Sequence, residues 1–186
     1  QFIKAIHRNS ERLKNLVDDL LHLSRIEGGS LNMTIEKINL DHIVESTILN
    51  LEQEALKKSI KIESLVDKRI EVLSDFISLD IIISNYLNNA LAYSPNNSKI
   101  LITAEEVDKK IKLSVKDEGE GIPENYKDRV FERFFRVDKG RSLNQGGTGL
   151  GLSIVKNLAS TLSSPVGVEN LEPKGASFWI ELDKST

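Results

Sequence analysis

The sequence predicts an α+β fold, a two-layer α/β sandwich in which one mixed sheet carries helices on one face, preceded by one long amphipathic helix. Three observations predict it. Residues 2–26 space their apolar side chains by threes and fours, the rest of the chain mixes short alternating segments with longer amphipathic ones, and a glycine pair separates the two regimes. Apolar residues make up 39% and charged residues 28%, the proportions of an ordinary globular chain.

The first helix places Phe2, Ile3, Ile6, Leu13, Leu16, Val17, Leu20, Leu21, Leu23 and Ile26 on one stripe, with Arg8, Glu11, Arg12, Lys14 and Asp18 on much of the rest. Such a stripe needs another helix to cover it. Glu27-Gly-Gly-Ser30 ends the pattern and marks the one expected domain boundary, between 1–27 and 31–186. Leu31–Ile38 alternates as a strand, and Asp41–Lys58 reads as an amphipathic helix. Lys61–Leu65 and Ile70–Leu73 read as short strands, and Phe76–Tyr93 as a buried helix. Ile100–Val107 and Ile111–Val115 form a strand pair about Asp108-Lys109-Lys110. After a glycine- and charge-rich stretch from Asp117 to Gly149, Gly151–Leu162 is helical, and Val166–Val168 with Ala176–Leu182 closes the sheet.

Bulk properties exclude several classes of function. A net charge of −3 gives no general basic field, so nucleic acid is not an expected partner. Without cysteine there is no disulfide framework and no thiolate metal site. No apolar run approaches the roughly 20 residues of a membrane helix. The chain opens at Gln1, inside a helical pattern, and is expected to be a piece of a longer protein.

Four local features carry chemistry. Asn85-Tyr-Leu-Asn-Asn-Ala90 puts Asn85 and Asn89 on one helix face, where an amide oxygen suits Mg²⁺ shared with phosphates; ordinary helix polarity is the plainer alternative. Asp117-Glu-Gly-Glu-Gly-Ile122 follows a strand. A carboxylate there accepts from an exocyclic amine, and Gly119 and Gly121 allow close approach, although the same pattern also makes a plain tight turn. Gly146-Gly-Thr-Gly-Leu-Gly-Leu152 opens a helix and offers backbone N–H groups and a positive dipole end to phosphates. It lacks the Lys of a Walker loop and the preceding strand of a dinucleotide fingerprint. Val130-Phe-Glu-Arg-Phe-Phe-Arg136 supplies aromatic anchors, and Arg136 is its better phosphate candidate.

Taken in order, Asn85–Ala90, Asp117–Ile122, Phe131–Phe135 and Gly147–Leu152 resemble the N, G1, F and G2 boxes of sensor histidine kinases. Gly175-Ala-Ser-Phe178 resembles a weaker form of a later box, and Leu23-Ser-Arg-Ile-Glu27 resembles the end of the second dimerisation helix. The resemblance implies the Bergerat ATP-binding fold, with ATP and Mg²⁺ as cofactors. It implies Asn89 on the metal, with Asn85 supporting it, and Asp117 on the adenine amino group. Tyr93, Ile122, Leu150 and Leu152 would frame the base, and Gly119 and Gly121 would leave it room. Arg136 and the backbone of Gly147, Thr148, Gly149 and Gly151 would reach the phosphates, under a lid from Val137 to Gly146. Implied partners are a response regulator and, in the full-length parent, a second copy. Any membrane attachment would lie outside this chain, leaving this portion cytoplasmic.

Two departures matter. Many members carry a basic residue where Ala92 stands, which leaves phosphate neutralisation to Arg136 and Lys139. None of His7, His22 and His42 has the family's acceptor context, so the phosphorylated histidine is expected elsewhere, and these three read as surface or interface residues. A gyrase-like hydrolysing ATPase would need a Glu at position 85, because an amide cannot act as a general base. A regulatory module with decayed catalysis, motivated by Ala92, is the other alternative.

Overall fold

The computed structural model describes residues 2–28, 32–137 and 148–185. Four helices and seven strands follow one another as α1 (Phe2–Glu27), β1 (Ile35–Asn39), α2 (Leu40–Lys58), β2 (Lys61–Ser64), β3 (Glu71–Asp75), α3 (Phe76–Tyr93), β4 (Lys99–Val107), β5 (Lys110–Lys116), α4 (Gly151–Thr161), β6 (Val166–Asn170) and β7 (Ala176–Lys184). A single 3₁₀ turn, Glu124–Tyr126, lies in the stretch between β5 and α4. Among the described residues no helix is long and apolar enough to cross a membrane.

The strands form one mixed sheet in the order β1-β3-β7-β5-β4-β2, parallel only between β2 and β4. β7 is long enough to serve two neighbours on one edge, β6 along residues 176–180 and β3 at residues 183–184. The inward side chains of β5 (Ile111, Leu113, Val115) and β7 (Phe178, Ile180, Leu182) are buried. They belong to one core with the α3 stripe Leu79, Ile82, Ile83, Tyr86, Leu87, Ala90 and Leu91, whose spacing is that of one helix face. Each large apolar residue buried there contributes roughly 1.5–3 kcal/mol. Tyr86 keeps its hydroxyl satisfied by donating to the Trp179 carbonyl at 3.0 Å.

Local signals explain the boundaries. α2 is capped by Asn39, whose Oδ1 accepts from His42 N–H at 3.0 Å, and it ends on Ser59 in the left-handed region. Asp75 caps α3 by accepting from both Ser78 N–H (2.8 Å) and Ser78 Oγ (2.7 Å). The β4–β5 turn has two residues rather than three. Asp108 and Lys109 both have positive φ, as a tight hairpin of this kind requires, and Lys110 is already paired with Val107. β1 is shorter than the alternation of 31–38 suggested: residues 32–34 are irregular, and Thr34 N–H is drawn off the ladder by Asp75 Oδ2 at 2.9 Å.

The α1 stripe proves divided. Leu23 is buried and Ile26 packs on the core, where the end of the helix meets the domain beside α4. Ile6, Leu13, Val17, Leu20 and Leu21 remain exposed.

Candidate functional site

The strand β5 delivers Asp117 to the floor of a cavity of about 930 Å³, walled by the C-terminal half of α3, the start of α4 and the inner side of α1. Asp117 is buried, and Oδ1 accepts from Gly119 N–H at 2.8 Å and from Ala176 N–H at 3.3 Å. No described residue hydrogen-bonds Oδ2. Burial pushes the carboxyl above its ordinary value, and the two backbone donors oppose that only in part. A buried acid with one oxygen free of protein donors is suited to accept a hydrogen bond from a ligand.

Two glycines shape the floor. A Cβ at Gly119 would lie 2.8 Å from Asp117 Oδ1 and 3.1 Å from the Tyr93 carbonyl. At Gly151 it would lie 2.3 Å from Asn85 Oδ1, so any other residue there would displace the Asn85 amide from its present position. Asn85 returns its amide N–H to Ile81 O at 2.8 Å, while Asn89 lines the cavity and its side chain makes no hydrogen bond to any described residue.

The opposite wall is the N-terminus of α4. Leu150 caps it without a side-chain bond, so the first-turn N–H groups are not capped by any side chain. Gly151 and Leu152 line the cavity, with Thr148 and Gly149 leading in and Arg136 half-buried beside Gly149. Gly149 has a φ of +75°, and its carbonyl accepts from Phe134 N–H at 2.8 Å.

The structure brings most of the expected residues to one cavity. Tyr93, Gly121 and Ile122 line the cavity with Asn85, Asn89 and Asp117, whereas Leu150 is not among its lining residues. Its side chain is fully buried in the core, because the residue that caps α4 turns inward while its carbonyl receives Ser153 Oγ and Ile154 N–H. Gly147, Lys139 and residues 138–146 of the expected lid lie outside the described residues.

Sequence reasoning missed three contributors. Lys58, at the end of α2, lines the cavity and donates through Nζ to the carbonyls of Leu91 and Ala92, the latter at 3.0 Å. A positive charge therefore does stand beside Ala92, contributed from 34 residues upstream in the sequence. From α1, Asp18, Asp19 and His22 face the same cavity, and Thr148 Oγ1 donates to Asp19 Oδ2 at 2.6 Å. His22 thereby lies nearer the candidate site than its sequence context suggested. Third, the Asn170 side chain bonds both backbone groups of Ile122. Lys58 and Asn170 gave no signal in the sequence, since neither spacing nor motif links them to the site.

Residues 74–186, more than half the chain, match the family described as "Histidine kinase-, DNA gyrase B-, and HSP90-like ATPase". The chain belongs to this ATPase family. Within it, the chain is similar to the sensor-like histidine kinase SenX3 of Mycolicibacterium smegmatis, at 34% identity over 98% of this chain and 47% of that protein. The chain thus spans about half the length of that relative. Among solved structures, full-length ShkA in complex with AMPPNP superposes with a TM-score of 0.85 at 27% identity, covering 100% of this chain and 38% of that one. The histidine kinase ThkA in complex with the response regulator protein TrrA gives a TM-score of 0.79 at 25% identity, covering 99% and 51%. Fold and family together make this an ATP-binding catalytic domain of the sensor histidine kinase type.

Proposed function

We propose that the chain binds Mg-ATP in this cavity and donates the γ-phosphoryl group to a histidine outside these 186 residues, for relay to an aspartate of a response regulator. One observation carries the reading. A buried carboxylate with an unpartnered oxygen and a helix N-terminus without a side-chain cap open into a single cavity, an acceptor for a base at one side and donors for phosphates at the other.

In this reading Asp117 Oδ2 accepts from the adenine amino group, and Gly119 and Gly121 leave the base room between Tyr93, Ile122 and Leu152. Arg136 and the backbone N–H groups of Thr148, Gly149 and Gly151 hold the phosphates, and the family resemblance adds the N–H of Gly147. Asn85 keeps the start of α4 against α3. Among the described residues no cluster of His or carboxylate ligands is built for a metal, so the donor set fits an ion held mainly by phosphates, water and one amide oxygen. Bound there through Asn89, Mg²⁺ would neutralise charge on the phosphates. The acceptor imidazole attacks the γ-phosphorus in line; the N–P bond forms as the bond to the β-phosphate oxygen breaks, and ADP leaves. What the chain's residues contribute is position and charge.

Hydrolysis is disfavoured because Asn85 offers no base, and Lys58 beside Ala92 weakens the case for a decayed module. Residues 1–27 would be the second helix of a dimerisation hairpin in a homodimer, and 31–186 the cytoplasmic catalytic domain. The exposed α1 stripe and the ThkA–TrrA structure support those partners. The direct test supplies an acceptor: a polypeptide bearing a two-helix hairpin with a histidine in the acceptor context is incubated with the chain and γ-labelled ATP. Acid-labile label is expected on the hairpin and none on the chain itself. Label on His7, His22 or His42, or no transfer to hairpins of several relatives, would contradict the reading.

A further inference from the structure

The loop from Asp117 to Ile122 is tied at both ends to one turn, the connection between β6 and β7. At the near end Asp117 N–H donates to Ala176 O at 2.9 Å, and Ala176 N–H donates back to Asp117 Oδ1 at 3.3 Å. At the far end Asn170 Oδ1 accepts from Ile122 N–H at 2.8 Å, and Asn170 Nδ2 donates to Ile122 O at 2.7 Å. One primary amide therefore satisfies both polar groups of one residue, as a neighbouring strand would. The approach is close. A Cβ on Gly121, whose φ is +78°, would lie 3.0 Å from Asn170 Oδ1, and a Cβ on Gly175 would lie 2.1 Å from the Asp117 carbonyl.

Ile122 lines the cavity; Asn170 is exposed and does not. We propose that Asn170 is a positioning residue for the nucleobase: its clasp on the Ile122 backbone holds that wall at the distance from Asp117 that admits a flat purine. The inference rests on the adenine-site reading above. Without the clasp the loop keeps its near-end tie and the bond from Lys99 N–H to Glu118 Oε2, but loses the bonds at Ile122 itself, and a ligand must supply there the ordering that Asn170 now provides in advance. The effect belongs to the base end of the cavity, because the phosphate donors come from α4 and Arg136, which Asn170 does not touch.

The test is Asn170→Ala with three probes, adenosine, Mg-ADP and Mg-AMPPNP, beside the unsubstituted chain and Asp117→Asn. All three probes are expected to weaken by a similar factor, about tenfold, since the two lost hydrogen bonds act on the base alone. The ratio of Mg-ADP to adenosine affinity stays as it was. Amide exchange at Ile122, read by NMR without ligand, is expected to quicken, and it reports the clasp independently of binding. A purely structural role would lower thermal stability and leave the three affinities unchanged. That result overturns the proposal, as does a loss that grows with the number of phosphates. If the unsubstituted chain binds none of the probes, the adenine reading falls and this proposal with it. If it binds and Asp117→Asn does not, while Asn170→Ala binds normally, the positioning role alone is refuted.

Discussion

Asp117 is held in a state that costs stability. Its carboxyl is buried, raised by desolvation, and bonded through one oxygen only. A raised folded-state value means that the native state favours the protonated acid, so the cost is absent well below the ordinary carboxylate range and complete once pH exceeds the raised value. Asp117→Asn retains the Oδ1 acceptor and removes the charge. It is expected to raise Tm at pH 7 by about 2–4 °C, near 1 kcal/mol, and to lose that advantage as pH is lowered toward 4. Thermal unfolding of both chains at the two pH values checks this; equal Tm at pH 7 would mean that the carboxylate is satisfied. The position was legible in the sequence because a D-x-G-x-G pattern followed a strand. The burial of Leu150 was not legible, because motif spacing does not reveal which way a helix-capping side chain turns.

Among the elements, α3 was read to its ends from apolar spacing and length, and the structure adds an Asp75 cap at its start and Pro95 just beyond Ser94. β1 was read too long because alternation continues into residues that Asp75 diverts from the ladder. The α1 pattern was read as one stripe, whereas its last turns pack on the domain and its middle stays bare. Leu13, Val17 and Leu20 are 64%, 46% and 42% exposed, and they lie close enough along the helix to form one apolar seam. Association through that seam is expected in solution. Light scattering on the chain and on the triple variant Leu13→Gln, Val17→Gln, Leu20→Gln measures it: the unsubstituted chain should associate and the variant should be monomeric. A monodisperse monomer for the unsubstituted chain would contradict the seam.

At the scale of the molecule, the sheet's layers were legible because alternation and helical spacing are local properties of the chain. What brings the site together is not local. Lys58 reaches Ala92 because α2 packs on α3, and Asn170 reaches Ile122 because β6 pairs with the edge of β7. Such long-range pairs leave no periodic trace, so the sequence offers the motif residues and omits those that hold them in place. The central claim is that one cavity takes an adenine nucleotide with its base at Asp117. Calorimetric titration of Mg-ADP into the chain and into Asp117→Asn tests it most directly. Binding in the micromolar range that the substitution abolishes is the predicted result, and no binding by the unsubstituted chain, or equal binding by both, would contradict it.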